Sequence, residues 1–222
     1  MSKKKYYLFR IKELELNVVS ILLLVLMLLI TISLEIPINI NDSNYALSFA
    51  LMIPYLLLHE VLHSVSYCLN GAKFKNVTYG AHLEKGVLCC LCKQNITRKN
   101  ILISLLFPFF LIGVITYIIG IYTNNIVLIL LSIINISGCS GDLMMFVGLS
   151  SIKNFEYSEY DDPTSFGIYT NEDISKMKLF GLKYVGSKEK LEINDYRKFD
   201  INKGNFIALM IIFLLGIVGL IL

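Results

Sequence analysis

The chain has 222 residues, of which 55% are hydrophobic and 17% are charged, against roughly 25% charged residues in soluble domains. Its apolar residues form runs long enough to cross a bilayer as helices of about 20 residues, which excludes an ordinary soluble domain. The net charge of +3 is small, and the lysines lie beside the apolar runs. We therefore expect a lipid bilayer as a partner and no nucleic acid.

In chain order, residues 1–16 form a basic arm. The run from Asn17 to Ile36 is too long for the core of a secretory signal and lacks a small-residue cleavage site, so it predicts an uncleaved first span. A second apolar segment covers roughly Tyr45 to Cys68. The polar segment 70–100 follows. Its strand-like sequences on either side of Glu84-Lys85-Gly86 predict a β-hairpin.

Two further apolar runs, at about Ile101 to Tyr122 and Ile126 to Ser150, complete a membrane domain of four spans over residues 17–150. Residues 151–204 are polar and mixed in charge, and residues 205–222 predict a final transmembrane helix. The sequence therefore predicts an all-α polytopic membrane protein. We expect about five transmembrane helices, a small cytoplasmic β-hairpin insertion and a cytoplasmic polar segment.

Lysine and arginine are concentrated in three segments: the arm 1–16, residues 71–100 and residues 151–204. The loops 37–44 and 123–125 contain neither residue. With five spans, all three basic segments lie on one side of the membrane, and the positive-inside rule identifies that side as the cytoplasm. We expect an integral membrane protein whose amino terminus is cytoplasmic.

The second span contains "LLLHEVLHSVSYC", in which His59 to His63 form an H-E-x-x-H motif. Residues four apart share one face of a helix, so both imidazoles can reach a single Zn²⁺. Glu60 is placed to act on a water molecule instead of binding the metal. Ionisable groups within a membrane are costly, by roughly 2.5–3.5 kcal/mol for an acidic or basic residue, and a bound metal would offset that cost.

Catalytic zinc usually has three protein ligands, and Asp142 is the one acidic residue of the fourth span. Counted from the cytoplasmic ends of their spans, His63, His59 and Asp142 lie at depths of roughly 8, 14 and 12 Å. The sequence thus predicts Asp142 as the third ligand, with small neighbours in "SGCSG" permitting close helix packing. Asn135, two turns earlier, is a candidate for binding an extended substrate; an interhelical hydrogen bond is an equal alternative.

These residues resemble the site-2 protease superfamily of intramembrane zinc metalloproteases, and more closely the bacterial putative zincin peptidase family. The resemblance covers about residues 45–170, from H-E-x-x-H through the β-like insertion to "YDDPTSFGIY". It implies that His59, His63 and Asp142 are ligands, that Glu60 is the catalytic base, and that the location is a bacterial cytoplasmic membrane. Site-2 proteases usually carry N-x-x-P-x-x-x-L-D-G at the aspartate, whereas this chain has "NISGCSGDL".

The expected function is a membrane-embedded zinc metalloendopeptidase acting on membrane proteins, membrane-proximal segments or peptides derived from them. Two alternatives from other classes stay open. One is a non-proteolytic membrane protein whose zinc site is structural and closed by four ligands. The other is a proton-linked transporter that uses the histidine, glutamate and aspartate side chains as a relay and binds no metal.

Overall fold

Four long apolar stretches form the helical part of this computed structural model, which describes residues 4–36, 42–82, 87–159, 164–186 and 197–199. Helix α1 covers Glu13–Ser33 and α2 covers Asp42–Leu69. Helix α3, Arg98–Pro108, continues through a π-helical segment, Phe109–Val114, into α4, Ile115–Tyr122. Helices α5, Ile126–Gly138, and α6, Ser140–Ser150, follow.

Three of these stretches are long and apolar enough to cross a membrane: Glu13–Ser33, Ala46–Leu69 and Arg98–Tyr122. Helices α5 and α6 make a fourth if they count as one span, bent by 44° at Cys139. Within α1, only Met27 and Thr31 are buried by the described part of the chain. Most of the other apolar side chains of α1, such as Ile21, Leu22 and Leu29, are exposed on the described part of the chain.

The expectation of an all-α protein is wrong, because the polar segments form an antiparallel sheet of five strands. These strands are β1, Lys5–Ile11; β4, Ile96–Thr97; β5, Glu156–Glu159; β6, Ser165–Thr170; and β7, Leu182–Gly186. Their order across the sheet is β4-β5-β6-β1-β7. The basic arm supplies a central strand, in which Leu8 and Phe9 are each 1% exposed. Burial of these side chains explains why the arm is a strand and not an extended tail.

The hairpin expected within residues 70–100 is present. A 3₁₀ turn, Phe74–Asn76, leads into β2, Val77–His82, which pairs with β3, Val87–Cys92. A third strand, β8, Arg197–Phe199, pairs with the other side of β2. Within the described chain β3 is therefore an edge strand of this smaller sheet. The turn at 84–86, residues 160–163 and the last predicted span, 205–222, lie outside the described residues.

The amino end of α3 joins the carboxyl ends of two other helices. The Arg98 side chain donates to the carbonyl oxygens of Ile152, at 2.7 Å, and Ser150, at 2.9 Å. The Asn100 amide donates to the carbonyl oxygen of Asn70 at 3.1 Å. These bonds satisfy carbonyl groups at and beyond the helix ends, and they join the ends of α2 and α6 to the start of α3, which directly follows β4.

Candidate metal centre

Helix α2 presents His59 and His63 one turn apart, and both are buried. Their rings meet edge to face, with centroids 4.9 Å apart. The two Nε2 atoms are separated by 3.1 Å. The local i, i+4 geometry expected from the sequence therefore brings both imidazoles to one point.

Asp142 lies in the first turn of α6, directly after the bend at Cys139. Its Oδ2 is 3.1 Å from Nε2 of His59, and its Oδ1 is 3.4 Å from Nε2 of His63. The first turn of a helix favours a carboxylate, because unpaired backbone N–H groups there carry partial positive charge. The structure thus brings together the three residues that the sequence predicts as ligands.

The other nitrogen of each imidazole faces an oxygen acceptor. Nδ1 of His63 lies 3.0 Å from the Ser104 carbonyl oxygen, which can only accept, so this nitrogen carries the proton. Nδ1 of His59 lies 3.0 Å from Oδ1 of Asn135, whose Nδ2 donates to the Pro108 carbonyl oxygen at 3.4 Å. In the neutral rings, this network assigns both protons to Nδ1 and leaves both Nε2 lone pairs facing the carboxylate.

These donor atoms fit zinc. Ligand atoms about 2.0–2.1 Å from a tetrahedral zinc lie about 3.3 Å from one another. Here the two Nε2 atoms are 3.1 Å apart, and each lies 3.1 or 3.4 Å from a different oxygen of the Asp142 carboxylate. A cation at their centre would balance two converging lone pairs and a carboxylate. Hydrogen bonds from the remote histidine nitrogens are also the usual support of zinc-binding imidazoles. The ligand roles themselves stay predictions.

Cys139 is a neighbouring donor that the sequence prediction did not include. His59, Cys139 and Asp142 offer three ligand atoms within 4.8 Å of one another. The Cys139 Sγ lies 3.8 Å from Nδ1 of His59, the nitrogen that already faces Asn135. We therefore favour His59 Nε2, His63 Nε2 and the Asp142 carboxylate as the ligand set, because these atoms lie closer together than the set that includes Cys139 Sγ. The sequence signal for Cys139 was its place in "SGCSG", three residues before Asp142.

Glu60 lies beside the two histidines on the wall of a cavity of about 340 Å³. Its carboxylate accepts a hydrogen bond from the backbone N–H of Cys90 in β3. Next to this contact, the hydroxyl groups of Tyr79 and Ser64 are 2.6 Å apart and fix β2 against α2. Burial raises the pKa of Tyr79 above its ordinary value, which keeps the hydroxyl neutral. The hairpin is thereby attached to the helix that carries the motif.

The cavity has walls from both the helices and the sheets. Its lining includes Leu16, Asn17 and Ser20 of α1 and four residues of the edge strand β3, namely Leu88, Cys89, Cys90 and Leu91. Thr164 and Tyr157 contribute from the five-stranded sheet side. The candidate ligands are therefore reached from the end of the helical bundle that adjoins the sheets.

Asn135, predicted to contact substrate, is fully buried in α5. Its amide contacts His59, Pro108 and Cys139, and it is not among the residues that line the cavity. The structure thus shows an interhelical hydrogen bond at this position, the alternative considered from the sequence. The substrate-binding role stays a prediction.

The segment that carries this site also matches a known family. Residues 52–155 match the family model described as "Putative zincin peptidase", and this segment contains the H-E-x-x-H motif and Asp142. The match indicates a metallopeptidase and implies zinc. We found no match to the chain among curated proteins or among solved structures.

Proposed function

We propose that the chain is a membrane-embedded zinc metalloendopeptidase of the site-2 protease type, because residues 52–155 match the family model described as "Putative zincin peptidase". The observation that carries the proposal is the convergence of His59 Nε2, His63 Nε2 and an Asp142 carboxylate at 3.1–3.4 Å. A structural zinc site has four protein ligands, whereas three ligands leave a position for water and substrate.

The proposed substrates are membrane proteins, their membrane-proximal segments, or peptides from them. Three or four apolar helices could span a bilayer, and the cavity beside the ligands is bounded by both α1 and the edge strand β3. An extended peptide can add to an exposed strand edge through main-chain hydrogen bonds. A transmembrane helix must unwind before it can bind in this way, because its carbonyl groups are otherwise bonded within the helix.

In the proposed mechanism, His59, His63 and Asp142 would hold the metal. When bound, zinc supplies Lewis-acid polarisation of the scissile carbonyl and lowers the pKa of water. Glu60 accepts a proton from the attacking water and later delivers one to the leaving amine, a role that contributes typically 10²–10⁴-fold to the rate. The Cys90 N–H orients the Glu60 carboxylate, and β3 aligns the peptide above the motif.

We place the sheets in the cytoplasm of a bacterial cell, with the chain in the cytoplasmic membrane. The basic arm, residues 96–97 and residues 156–186 contribute strands to one sheet, so these polar segments lie together. Their lysines and arginines favour the cytoplasmic side. The amino terminus is then cytoplasmic as well.

The decisive experiment replaces Glu60 with Gln, which is nearly isosteric and leaves both histidines in place. We expect zinc, measured by elemental analysis of detergent-purified protein, to be retained and cleavage to be lost by at least about 10²-fold. Candidate substrates are membrane proteins that accumulate when the variant replaces the wild type.

The same measurements separate the alternatives. A proton relay would bind no zinc even in the wild type, since protonated imidazoles could donate to the Asp142 carboxylate at the same separations. A structural zinc site would bind zinc but support no cleavage in the wild type. Cleavage by Glu60→Gln at the wild-type rate would remove Glu60 from the mechanism.

A further inference from the structure

The Ser104 carbonyl group, which holds His63, lacks the partner that an ordinary helix would give it. In an α-helix the carbonyl oxygen of residue 104 accepts from the N–H of residue 108. Residue 108 is a proline and has no N–H. The next N–H, that of Phe109, donates to Leu106 instead. Because of this break, Nδ1–H of His63 can take the place of the missing donor at 3.0 Å.

The same break supports the other imidazole. After Pro108 the helix widens into the π-helical segment Phe109–Val114, and the Pro108 carbonyl oxygen lies 3.4 Å from Nδ2 of Asn135. A Cβ atom at Gly113 would lie 3.3 Å from that Nδ2 and 2.9 Å from a side-chain carbon of Ile136. The glycine therefore permits α5 to approach closely enough for Asn135 to bridge the Pro108 carbonyl group and His59.

We propose that Pro108 is a positioning residue of the metal centre. By removing one backbone donor, it leaves the Ser104 carbonyl group to fix His63 with its proton on Nδ1 and its Nε2 toward Asp142. Membrane helices tolerate proline where neighbouring groups satisfy the freed carbonyl, and here the satisfying group is a candidate ligand. The inference rests on the proposed zinc site and adds a residue that contacts neither metal nor substrate.

The test compares Pro108→Ala and Pro108→Val with Pro54→Ala. Both Pro108 variants restore an N–H that competes for the Ser104 carbonyl oxygen. Pro54 is the other proline within a described helix, is exposed, and serves as the matched control. Zinc affinity is measured in detergent by competition with a chelator. We expect both Pro108 variants to bind zinc about 10–100-fold more weakly, as on loss of a ligand's hydrogen-bond partner, and Pro54→Ala to match the wild type.

An equal loss of zinc affinity in Pro108→Ala and Pro108→Val identifies the restored N–H as the cause, since a packing role would depend on side-chain size. Wild-type affinity in both variants, or a loss confined to one, would overturn the inference. If the wild type binds no zinc, the proposed function fails instead.

A measurement on the metal-free wild type tests the position of the His63 proton even where the variants do not fold. The chain contains three histidines, so ¹⁵N-histidine NMR of the metal-free protein can assign each ring. We expect the His63 proton on Nδ1, with slow exchange. A proton on Nε2 of His63 would refute the positioning role.

Discussion

Asp142 and His59 lie 83 positions apart in the sequence, and their side chains meet at 3.1 Å between Oδ2 and Nε2. The contact joins α6 to α2. It depends on the bend at Cys139, which starts a new helix and places Asp142 in its first turn. One carboxylate thereby reaches both histidines of the motif.

Replacing Asp142 with Asn should weaken zinc binding by at least about 10-fold. The amide keeps the shape of the side chain but is neutral and binds zinc poorly compared with a carboxylate. Chelator competition measures the change. Glu15→Gln is the control, because Glu15 pairs with Lys12 at 2.7 Å on an exposed surface. Equal zinc affinity in Asp142→Asn and the control would exclude Asp142 as a ligand.

The two motif histidines should be individually required for zinc, because removing one of three ligands leaves too few for tight binding. We expect His59→Ala and His63→Ala each to lower the zinc content of purified protein well below one ion per chain, as measured by elemental analysis. His82→Ala, which removes the third histidine of the chain, should retain zinc. If zinc were lost from His82→Ala and kept in the other two, the metal centre would lie at the hairpin.

The sequence could predict that His59 and His63 lie together because this depends on local helix geometry. Two histidines four residues apart share a helix face whatever the tertiary structure. Asp142 could be found because it is the one carboxylate in an apolar run. By contrast, the acceptor of His63 is the backbone carbonyl group of Ser104. From the sequence, Pro108 indicates that the Ser104 carbonyl group has no N–H donor four residues later, but not which side chain faces that carbonyl group.

The five-stranded sheet could not be predicted in the same way, because its pairing joins residues far apart in sequence. Lys5 pairs with Thr170, and Ile96 pairs with Tyr157. Strands of two to seven residues carry a weak periodic signal. The lysines of the basic arm were explained by the positive-inside rule, so the sequence did not indicate that this arm is a strand. Burial of Phe9 against Phe166, with ring centroids 6.0 Å apart, is a tertiary effect that the isolated segment does not show.

The polar segments that form the sheets should label from one side of the membrane. In a background without native cysteines, Lys93→Cys and Lys153→Cys, at exposed positions near the sheets, should react with an impermeant thiol reagent only after the cytoplasmic face is opened. Asn124→Cys, exposed in the turn between α4 and α5, should react in intact cells. This pattern follows from the charge distribution. The reverse pattern would invert the proposed orientation, and labelling of Lys93 and Lys153 from opposite sides would contradict the fold.

Asn135 offers a test between substrate binding and support of His59. Asn135→Leu removes the acceptor 3.0 Å from Nδ1 of His59, so the imidazole loses its orienting bond. Zinc affinity should fall by about 10–100-fold, the usual cost of losing such a partner. Asn135→Asp retains an oxygen acceptor for Nδ1–H of His59 and should recover most of the zinc affinity.

The kinetic constants of zinc-saturated protein then separate the two roles of Asn135. Loss of substrate binding would raise KM while zinc affinity stayed at the wild-type value. Support of His59 predicts the opposite: weaker zinc binding, with KM little changed once the metal site is filled. Because the Asn135 amide is bonded to His59 and Pro108 and lies outside the cavity lining, we expect the second result. A raised KM with intact zinc binding would instead bring Asn135 into the substrate site, through a movement of α5 toward the cavity.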